Sequence, residues 1–536
     1  MTQSVAETSS GFYGVTDAVI AGDRTLALNR AMGALREGAG HPQVLRQLLD
    51  GLRREGRTSI KGEDLPDVLA RLGGLIARQG QLDCALGVLE ASLALDPDNV
   101  GALRDAATTS FMLSDLDRAG DYYDRAVALS PDDGEALAGL AAVRARQLRA
   151  GDARDAGLRA LAVDPQSVTA HLAVARADFM DGGAAAAVAR LNPLLARGNL
   201  SDQNRIAIHD LRADALAALD RPAEAFADYA ARNVLVERAS AALVRAEVRE
   251  RRVDQARRLA DHFETRASPA WGVAAPVDVT ARPNPVFLLG FPRTGTTLLE
   301  KALAGHPDVT TIEEVELFGP EHDAMLADDA ALARLVAMPD AQLEQLRTRY
   351  WAAVDQATNG ATRPVVVDKM PLNTVRLPLI ARLFPDAKIL FAIRDPRDVV
   401  LSCFRRRFRT NAAMYEFLTL AGAAAYYDAV MRMAQASRAV LPLAVHDISH
   451  EALIADFDGV VGNALGFLGL DWDDSVRDFG ARAGVRFKTP SDVQLTRGLT
   501  SAGVGQWRRY AGALEPVAAT LAPWVEQFGY GEIERP

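Results

Sequence analysis

A glycine-rich stretch at residues 286–299, VFLLGFPRTGTTLL, carries the first side chains whose types and spacing could do chemistry. A short apolar run leads into Gly290, and four residues separate it from Gly295, as in the phosphate-binding pattern G-x-x-x-x-G-K-S/T. The lysine of that pattern is missing, because Thr296 and Thr297 follow Gly295 directly. The stretch therefore predicts an anion site that lacks the usual contact with the β- and γ-phosphates of a triphosphate.

The chemistry of this loop favours a phosphate-like ligand. In an α/β sheet, the turn after the first strand aims backbone N–H groups at an anion, and the next helix adds its positive end. Arg293 offers a planar fork for anionic oxygens, and the two threonines offer hydroxyl groups. Asp368 follows an apolar run but has Lys369 beside it, so the sequence predicts no Mg²⁺ site.

A second polar cluster follows another apolar run, in KILFAIRDPRDVVLSCFRRRF at residues 388–408. Arg394 lies at the end of the predicted strand, and Ser402 lies eight residues later on the predicted helix. These two side chains can converge on a second phosphate. The arginines that follow either line the mouth of the nucleotide or acceptor site or form a solvated helix face; they are Arg405, Arg406, Arg407 and Arg409.

Together the two stretches resemble the sulfotransferase family that uses 3′-phosphoadenosine 5′-phosphosulfate (PAPS). The resemblance covers residues 285–530. It is to the tetratricopeptide-repeat sulfotransferases, whose catalytic half is similar to the protein-tyrosine sulfotransferases. It implies PAPS as co-substrate, no metal ion, and a 3′-phosphate site at Arg394 and Ser402. It assigns the 5′-phosphosulfate to the glycine-rich loop, at Arg293, Thr294, Gly295, Thr296 and Thr297. A donor without a γ-phosphate accounts for the missing lysine.

The same resemblance assigns the catalytic roles. The segment HPDVTTIEEVE places the general base on Glu314, with Glu313 as the fallback. The segment VVDKMPLN places on Lys369 the contact with the bridging oxygen of the leaving group, assisted by Arg293. Cytosolic sulfotransferases use a histidine base, but His306 precedes a proline at a helix end, so we predict a capping role for it.

A late segment, SAGVGQWRRY at residues 501–510, resembles the family loop that folds over the 3′-phosphate side. Protein-tyrosine sulfotransferases carry a serine just before a Lys-Trp pair in this loop. This chain has Gly-Gln-Trp at residues 505–507, a departure from that pattern. We therefore expect Arg508, with Arg509 beside it, to replace the missing contact.

The N-terminal half contains internal repeats. Pro97, Pro131 and Pro165 are spaced 34 residues apart, which is the tetratricopeptide period. Small residues recur twelve and five positions before each proline, at Ala85, Ala119 and Ala153 and at Ser92, Ala126 and Ala160. Two further units are predicted around Gly182 and Ala187 and in RPAEAFADYAARN (residues 221–233), and residues 25–75 are predicted to cap the array.

We therefore predict two domains of different class. Residues 25–262 form a helical solenoid that resembles the tetratricopeptide family, whose groove binds the acceptor or a partner protein unless the repeats are only a scaffold. Residues 263–285 contain four prolines and form the linker. Residues 286–536 alternate apolar runs (VFLLG, PVVVD, KILFAIRD) with helical stretches, which indicates an α/β domain with a parallel sheet.

Composition sets the outer limits of function. The formal net charge of −10 argues against a nucleic-acid partner, and two distant cysteines make neither a disulfide framework nor a zinc site, so we expect buried thiols. No run reaches the roughly 20 apolar residues of a membrane span, and the first residues have no apolar signal-peptide core. These features predict a cytoplasmic protein.

The leading interpretation is a PAPS-dependent sulfotransferase that acts on a hydroxyl or amine acceptor. The sequence leaves the acceptor open among a peptide, including peptide tyrosine, a glycan, a lipid and a small molecule. Two alternatives stay open: a nucleotide-dependent phosphotransferase on the same sheet, and a non-catalytic repeat adaptor with a degenerate transferase half.

Overall fold

The computed structural model describes residues 59–60, 63–247, 250–265, 271, 282, 284–478 and 500–531. Most of the predicted linker 263–285 lies outside these residues, as does the predicted cap as far as residue 58. The chain divides into two compact units, Met1–Ala225 and Phe226–Pro536. Helical repeats occupy the first unit, and a parallel sheet with its covering helices occupies the second.

The first unit is a row of helical hairpins. Two short strands, β1 (Ser59–Ile60) and β2 (Glu63–Asp64), pair antiparallel before it. The helices that follow pack each on its neighbours along the chain. They are α1 (Leu65–Arg78), α2 (Leu82–Leu95), α3 (Val100–Met112), α4 (Leu116–Leu129), α5 (Gly134–Arg146), α6 (Ala150–Val163), α7 (Val168–Met180), α8 (Ala184–Leu195) and α9 (Asp202–Ala218).

The 34-residue period has a local physical cause. Each repeat proline follows the end of α2, α4 or α6, where a residue without an N–H group interrupts no helical hydrogen bond. Two residues further on, Asn99, Asp133 and Ser167 each accept a hydrogen bond from the third residue of the next helix. The predicted small residues have no exposed surface at Ala119 and Ala153. The helical repeat prediction is confirmed.

The fourth and fifth repeats lack the proline at the expected position, and their structures differ from the first three repeats accordingly. The turn between α7 and α8 uses Gly182, whose φ is +84°, and Ala187 is fully buried. The fifth predicted repeat contains the start of a 26-residue helix, α10 (Pro222–Glu247), which begins at a proline. Pro222 therefore stands at the first helical position, where proline is favoured.

The second unit is built on five parallel strands. They are β3 (Val286–Gly290), β4 (Val309–Glu313), β5 (Val365–Lys369), β6 (Lys388–Ile393) and β7 (Ala444–Ser449), in the spatial order β4-β5-β3-β6-β7. The predicted strands at VFLLG, PVVVD and KILFAIRD are confirmed. Strands β4 and β7 lie at the two edges of the sheet, and the sequence did not predict them.

Helices cover both faces of this sheet. They are α11 (Arg252–Thr265), α12 (Thr296–Leu303), α13 (Pro320–Asp323), α14 (Asp329–Val336), α15 (Asp340–Thr358), α16 (Leu377–Leu383), α17 (Pro396–Arg405), α18 (Ala412–Tyr415), α19 (Leu420–Val440), α20 (His450–Ala455), α21 (Phe457–Leu468), α22 (Ala511–Leu514) and α23 (Ala518–Gln527). Phe287 and Leu289 belong to one core, and Val286 and Leu288 belong to the other. This alternation is that of a central strand with two covered faces.

Helix α11 belongs to the core of the second unit. Val253, Leu259 and Phe263 are buried in the cluster that contains Phe287 of β3. Full burial of one such aromatic side chain is worth about 1.5–3 kcal/mol. These residues are helical like the repeats, yet they pack with the sheet. The predicted end of the repeat domain at residue 262 stays a prediction.

The cysteines and the helix lengths bear on the setting of the chain. Cys84 and Cys403 are both free and buried, so the expectation of buried thiols is confirmed. Burial raises the pKa of Cys84 to about 11. No helix in the described ranges is sufficiently long and apolar to span a bilayer.

Candidate active site

The carboxyl ends of the five parallel strands lie side by side at one end of the sheet, which we call the strand edge. Ligand sites are usually located there in this architecture. Each strand brings one polar or glycine residue to that edge. β3 ends at Gly290, β4 at Glu313 and β5 at Lys369. Arg394 follows β6, and His450 follows β7.

The glycine-rich loop is held in a conformation that few residues adopt. Gly290 has a φ of +145°, and a Cβ atom there would lie 2.7 Å from the carbonyl oxygen of Ala392. The Oγ1 atom of Thr374 donates to the carbonyl of Gly290 at 2.7 Å and accepts from its N–H at 3.1 Å. Arg293 has a φ of +75°, which is strained for a non-glycine residue. These contacts fix the loop before any ligand binds.

His450 lies against this loop, and the sequence had not pointed to it. Gly295 has a φ of +95°, and a Cβ atom there would lie 2.3 Å from Nδ1 of His450. That nitrogen is buried and has no hydrogen-bond partner in the described part of the chain. Burial, and then the charges of Arg394 and Arg293, lower the pKa of His450 from 6.5 to about 3. The imidazole is therefore neutral and faces a cationic loop.

The threonines of the loop divide into two roles. Thr294 donates its hydroxyl group to the carbonyl of Phe291 at 2.7 Å and its N–H to the same oxygen at 3.2 Å. Both of its donors are thus used inside the loop, and its predicted contact with a nucleotide stays a prediction. Thr296 and Thr297 begin α12, which no side chain caps, so the first N–H groups of that helix are available to an anion.

The two predicted anion-binding stretches touch each other. Arg293 donates from Nε to Oγ of Ser402 at 3.0 Å, and Arg394 donates from Nη1 to the carbonyl of Arg293 at 3.0 Å. Arg394 also donates to the carbonyl of Gly503, while its buried Nε has no partner among the described residues. Burial, with Arg406 and Arg394 nearby, lowers the pKa of Arg293 to about 10, so it stays charged at neutral pH.

The late segment at residues 501–510 is fastened to the second stretch by Asp398. Its carboxylate accepts from the N–H of Gly505 at 2.6 Å and from the N–H of Trp507 at 2.8 Å. Arg397 stacks on the Trp507 ring at 3.7 Å. Arg508 is exposed, with its guanidinium 5.1 Å from the same ring, so its predicted nucleotide contact stays a prediction.

The predicted base and the predicted catalytic lysine are directly paired. Lys369 has no exposed surface, and its Nζ donates to Oε1 of Glu314 at 2.8 Å and to Oε1 of Glu313 at 3.1 Å. The N–H of Glu314 donates to the carbonyl of Lys369 at 2.9 Å, and Glu314 has a φ of +50°. Strained backbone of this kind concentrates at functional sites. The negative charge of Glu314 also raises the pKa of Arg293, so this pair lies within electrostatic reach of the loop.

The two glutamates differ in what they can reach. The side chain of Glu313 is 5% exposed, and that of Glu314 is 44% exposed. Glu313 also accepts from Lys301 at 2.8 Å. Burial would raise the pKa of Glu313, but Lys369 and Lys301 outweigh it and lower that pKa. Glu313 is therefore engaged by two lysines, and Glu314 is the more exposed carboxylate of the pair.

His306 is a structural residue, but the predicted capping of the helix end is wrong, because its ring bonds to residues outside α12. Its side chain is buried, and Nδ1 accepts from the N–H of Asp308 at 3.1 Å. Its Nε2 lies 3.0 Å from the carbonyl of Asp471. Both ring nitrogens are thus occupied, one in the turn that follows α12 and one at a carbonyl beyond α21.

The arginines of the run after Ser402 differ in burial. Arg405 is half-buried, and its guanidinium lies 5.3 Å from the ring of Tyr229 and 4.9 Å from that of Tyr510. Arg406 is half-buried beside Arg293, whose pKa it lowers. Arg407 and Arg409 are exposed. Helix α17 ends at Arg405, so the alternative of one solvated helix face is wrong, and the alternative that these arginines line the mouth of the site stays a prediction.

The described residues contain no group of three or more His, Cys, Asp or Glu side chains placed to hold a metal ion. Asp368 lies in the core, where it accepts from the hydroxyl of Tyr350 at 3.2 Å. Burial raises the pKa of Asp368 to about 7. The carboxylate nearest to Lys369 along the chain is therefore turned toward the core.

Comparison with known proteins agrees with this geometry. Residues 285–474 match the model of the sulfotransferase family. The C-terminal half carries a sulfotransferase-family domain. All the strand ends described above, from Gly290 to His450, lie inside the matched range.

Three relatives illustrate the likeness. An uncharacterized protein of Aquifex aeolicus is 27% identical over 269 residues, which cover 47% of this chain and 34% of that protein. Protein-tyrosine sulfotransferase 2 of Gallus gallus is 22% identical over 281 residues, which cover 47% and 70%. Nodulation protein NoeE of Sinorhizobium fredii is 32% identical over 136 residues, which cover 23% and 32%. The chain thus spans about a third of the length of the first and third of these relatives.

Among solved structures, a tetratricopeptide repeat protein from Parabacteroides merdae is 22% identical. The match covers 45% of this chain and 87% of that protein, with a TM-score of 0.31. The repeat architecture of the first unit rests on the helix pairs and the periodic caps described above.

The donor set at the strand edge fits a nucleotide with two separate anionic groups. A Cβ atom at Gly290 or Gly295 would collide with Ala392 or His450, so the tight turn of the loop requires glycine at both positions. Arg394 and His450 each bring a buried ring or guanidinium nitrogen without a partner in the described ranges. Two guanidinium groups, Arg293 and Arg394, supply positive charge, and the chemistry of these donors is that of phosphate and sulfate recognition.

Proposed function

We propose that this chain is a PAPS-dependent sulfotransferase. The sulfuryl group passes in line from the phosphosulfate to a hydroxyl or amine group of the acceptor. The bond between sulfur and the bridging oxygen breaks as the new bond forms, and 3′-phosphoadenosine 5′-phosphate (PAP) leaves. The acceptor proton passes to a carboxylate of the enzyme.

The observation that carries this proposal is the convergence of the five strand ends. The loop from Arg293 to Thr297 and the Arg394–Ser402 pair contact each other, which suits one nucleotide that spans both. The buried Lys369 and the exposed Glu314 form a hydrogen-bonded pair at the same edge. A sulfotransferase requires these two functions side by side, a base for the acceptor and a cation for the departing oxygen.

The roles follow from burial and reach. Glu314 accepts the acceptor proton, because it is the more exposed glutamate of the pair. Lys369 donates a hydrogen bond to the bridging oxygen and stabilises the charge that develops there, with Glu313 holding its ammonium group in place. Arg293 binds the transferring group, and Arg394 with Ser402 binds the 3′-phosphate. We keep Arg508 as a further proposed contact on that side. The chemistry as proposed uses no metal ion.

The setting of the reaction is also a proposal. The repeat unit would bind the acceptor or a separate partner, and the acceptor is a peptide, glycan, lipid or small molecule. A cytoplasmic location is supported by two free, buried cysteines. Fractionation of cells that express the chain tests that location.

The activity can be tested while the acceptor is still unidentified. The protein is incubated with PAPS that carries labelled sulfur and with separate panels of tyrosine peptides, glycans, lipids and small phenols. Label incorporation and PAP release are measured together. We expect Glu314→Gln and Lys369→Met to lower transfer by at least about a hundredfold, the effect of losing general-base or charge-stabilising catalysis.

Two matched variants control for the change of residue type. Glu344→Gln alters an exposed glutamate on α15. Lys388→Met alters the first residue of β6, at the end of that strand away from the site and beside Phe467. Both controls should transfer at the wild-type rate. Wild-type rates in both Glu314→Gln and Lys369→Met would refute the assigned roles.

A further inference from the structure

Helix α10 contains a buried arginine that no motif explains. Arg232 lies in the segment that the sequence placed in the fifth repeat, yet its side chain has no exposed surface. Asn233 fixes its orientation, because Oδ1 of Asn233 accepts from Nε at 3.0 Å and from Nη2 at 2.9 Å. Tyr229, one helical turn earlier, packs beside the guanidinium at 5.2 Å.

The guanidinium of Arg232 caps the end of helix α17. It donates from Nη2 to the carbonyl of Phe404 at 3.0 Å and from Nη1 to the carbonyl of Arg405 at 3.0 Å. Asn233 adds a third bond, from Nδ2 to the carbonyl of Phe404 at 3.1 Å. The last carbonyls of a helix have no partner within it and carry the negative end of its dipole, so a cation there is favourable.

Helix α17 is also the element that builds the second anion site. Ser402 accepts from Arg293 at 3.0 Å and lies two residues before Phe404, the carbonyl that Arg232 and Asn233 share. Packing reinforces the cap, because the rings of Phe226 and Phe404 stack at 4.9 Å. Any rotation or fraying of the last turn of α17 would move the Ser402 hydroxyl away from Arg293.

We infer that Arg232 is a positioning residue of the nucleotide site. It acts through α17 to hold Ser402 against Arg293, without touching the nucleotide. The inference rests on the proposed function, because it assumes that Ser402 and Arg394 bind the 3′-phosphate.

The test is calorimetric titration of PAP into Arg232→Met. This variant keeps the length of the side chain and removes its donors. We expect PAP affinity to fall about tenfold, the effect of losing hydrogen bonds made by a charged group. We also expect the KM for PAPS to rise while kcat changes by less than about twofold, since the loss is one of ground-state binding. Arg238→Met, an exposed arginine on the same helix, is the matched control.

A double-mutant cycle separates positioning from general stability. If Arg232 acts through Ser402, Arg232→Met should weaken PAP binding much less in a Ser402→Ala background than in the wild type. A merely structural role would lower the melting temperature and leave PAP affinity unchanged, and that result would overturn the inference. If Arg232→Met does not fold, Asn233→Ala, which removes one donor and the orienting acceptor, decides between the same two outcomes.

The two proposals fail in different ways. If the wild-type protein does not bind PAP, the proposed function is wrong. If the wild-type protein and Arg238→Met bind PAP and Arg232→Met binds it equally well, only the positioning role is wrong.

Discussion

At the scale of single residues, the site is governed by how its buried charges are paired. An ammonium group without exposed surface, as at Lys369, is stable only with partners, and Glu313 and Glu314 both accept from it. Glu313 is committed to Lys301 as well, so the two carboxylates are not equivalent. In the proposed reaction, the more exposed Glu314 takes the acceptor proton while Glu313 keeps the lysine in place.

His450 gives the clearest pH prediction. In the unfolded chain its pKa is 6.5, and in the folded chain burial beside Arg394 and Arg293 lowers it to about 3. Between these values the unfolded chain binds a proton that the folded chain does not, so stability is lost as the pH falls from about 6.5 to 3. We expect His450→Asn to lose less melting temperature than the wild type between pH 7.5 and pH 4, measured by calorimetry.

Parallel melting curves for the two proteins across that range would show that His450 is not held neutral. Addition of PAP sharpens the comparison. An anion on Arg293 and Arg394 offsets the charges that lower the pKa of His450, so PAP should reduce the acid sensitivity of the wild type and leave that of His450→Asn unchanged.

The sequence predicts those residues of the site that belong to a recognisable motif. Arg293, Arg394, Ser402, Glu314 and Lys369 do come together at one edge of the sheet. Their distances and conformations were not predictable, since nothing in the sequence requires a φ of +50° at Glu314. His450 lies outside every motif and reaches the loop only through the position of β7, so no local signal could have found it.

At the scale of elements, the two edge strands explain most of the difference between prediction and structure. VTTIE at β4 and AVHDIS at β7 expose part of their residues, so neither is the continuous apolar run that marks a buried parallel strand. The central strands β3, β5 and β6 are such runs and were predicted. The sequence therefore predicted the middle strands of the sheet and neither edge strand, including β4, directly after which Glu314 lies.

The late loop gives a prediction at this scale. Asp398 is fully buried at the start of α17 and accepts from the amides of Gly505 and Trp507. We expect Asp398→Ala to speed hydrogen exchange at these two amides. It should also weaken PAP binding about tenfold, because a buried hydrogen-bonded carboxylate is lost and the contact of Gly503 with Arg394 loosens.

Mass spectrometry of exchanged peptides from residues 500–531 and a PAP titration measure the two effects. Asp458→Ala, an exposed aspartate on α21, serves as the matched control. Unchanged exchange at Gly505 and Trp507 in Asp398→Ala would contradict the role of this carboxylate in fastening the loop.

At the scale of the whole molecule, two classes of fold occupy one chain, and the sequence showed both through their periods. A 34-residue repeat requires paired helices, and alternating apolar runs and helical stretches require a covered parallel sheet. The extent of each domain was harder to read. Residues 252–265 are helical like the repeats, yet Val253, Leu259 and Phe263 are buried with the sheet, and a helical period does not show which core a helix joins.

Binding of the PAPS nucleotide at the strand edge can be tested by one calorimetric experiment. PAP is titrated into the protein with EDTA present, and ATP is titrated with Mg²⁺. We predict tight binding of PAP without metal, loss of that binding in Arg394→Met, and retention in Arg477→Met, which alters an exposed arginine of the same unit. Binding of ATP with Mg²⁺ and none of PAP would indicate a phosphotransferase, binding of neither would indicate a non-catalytic adaptor, and either result would contradict the account.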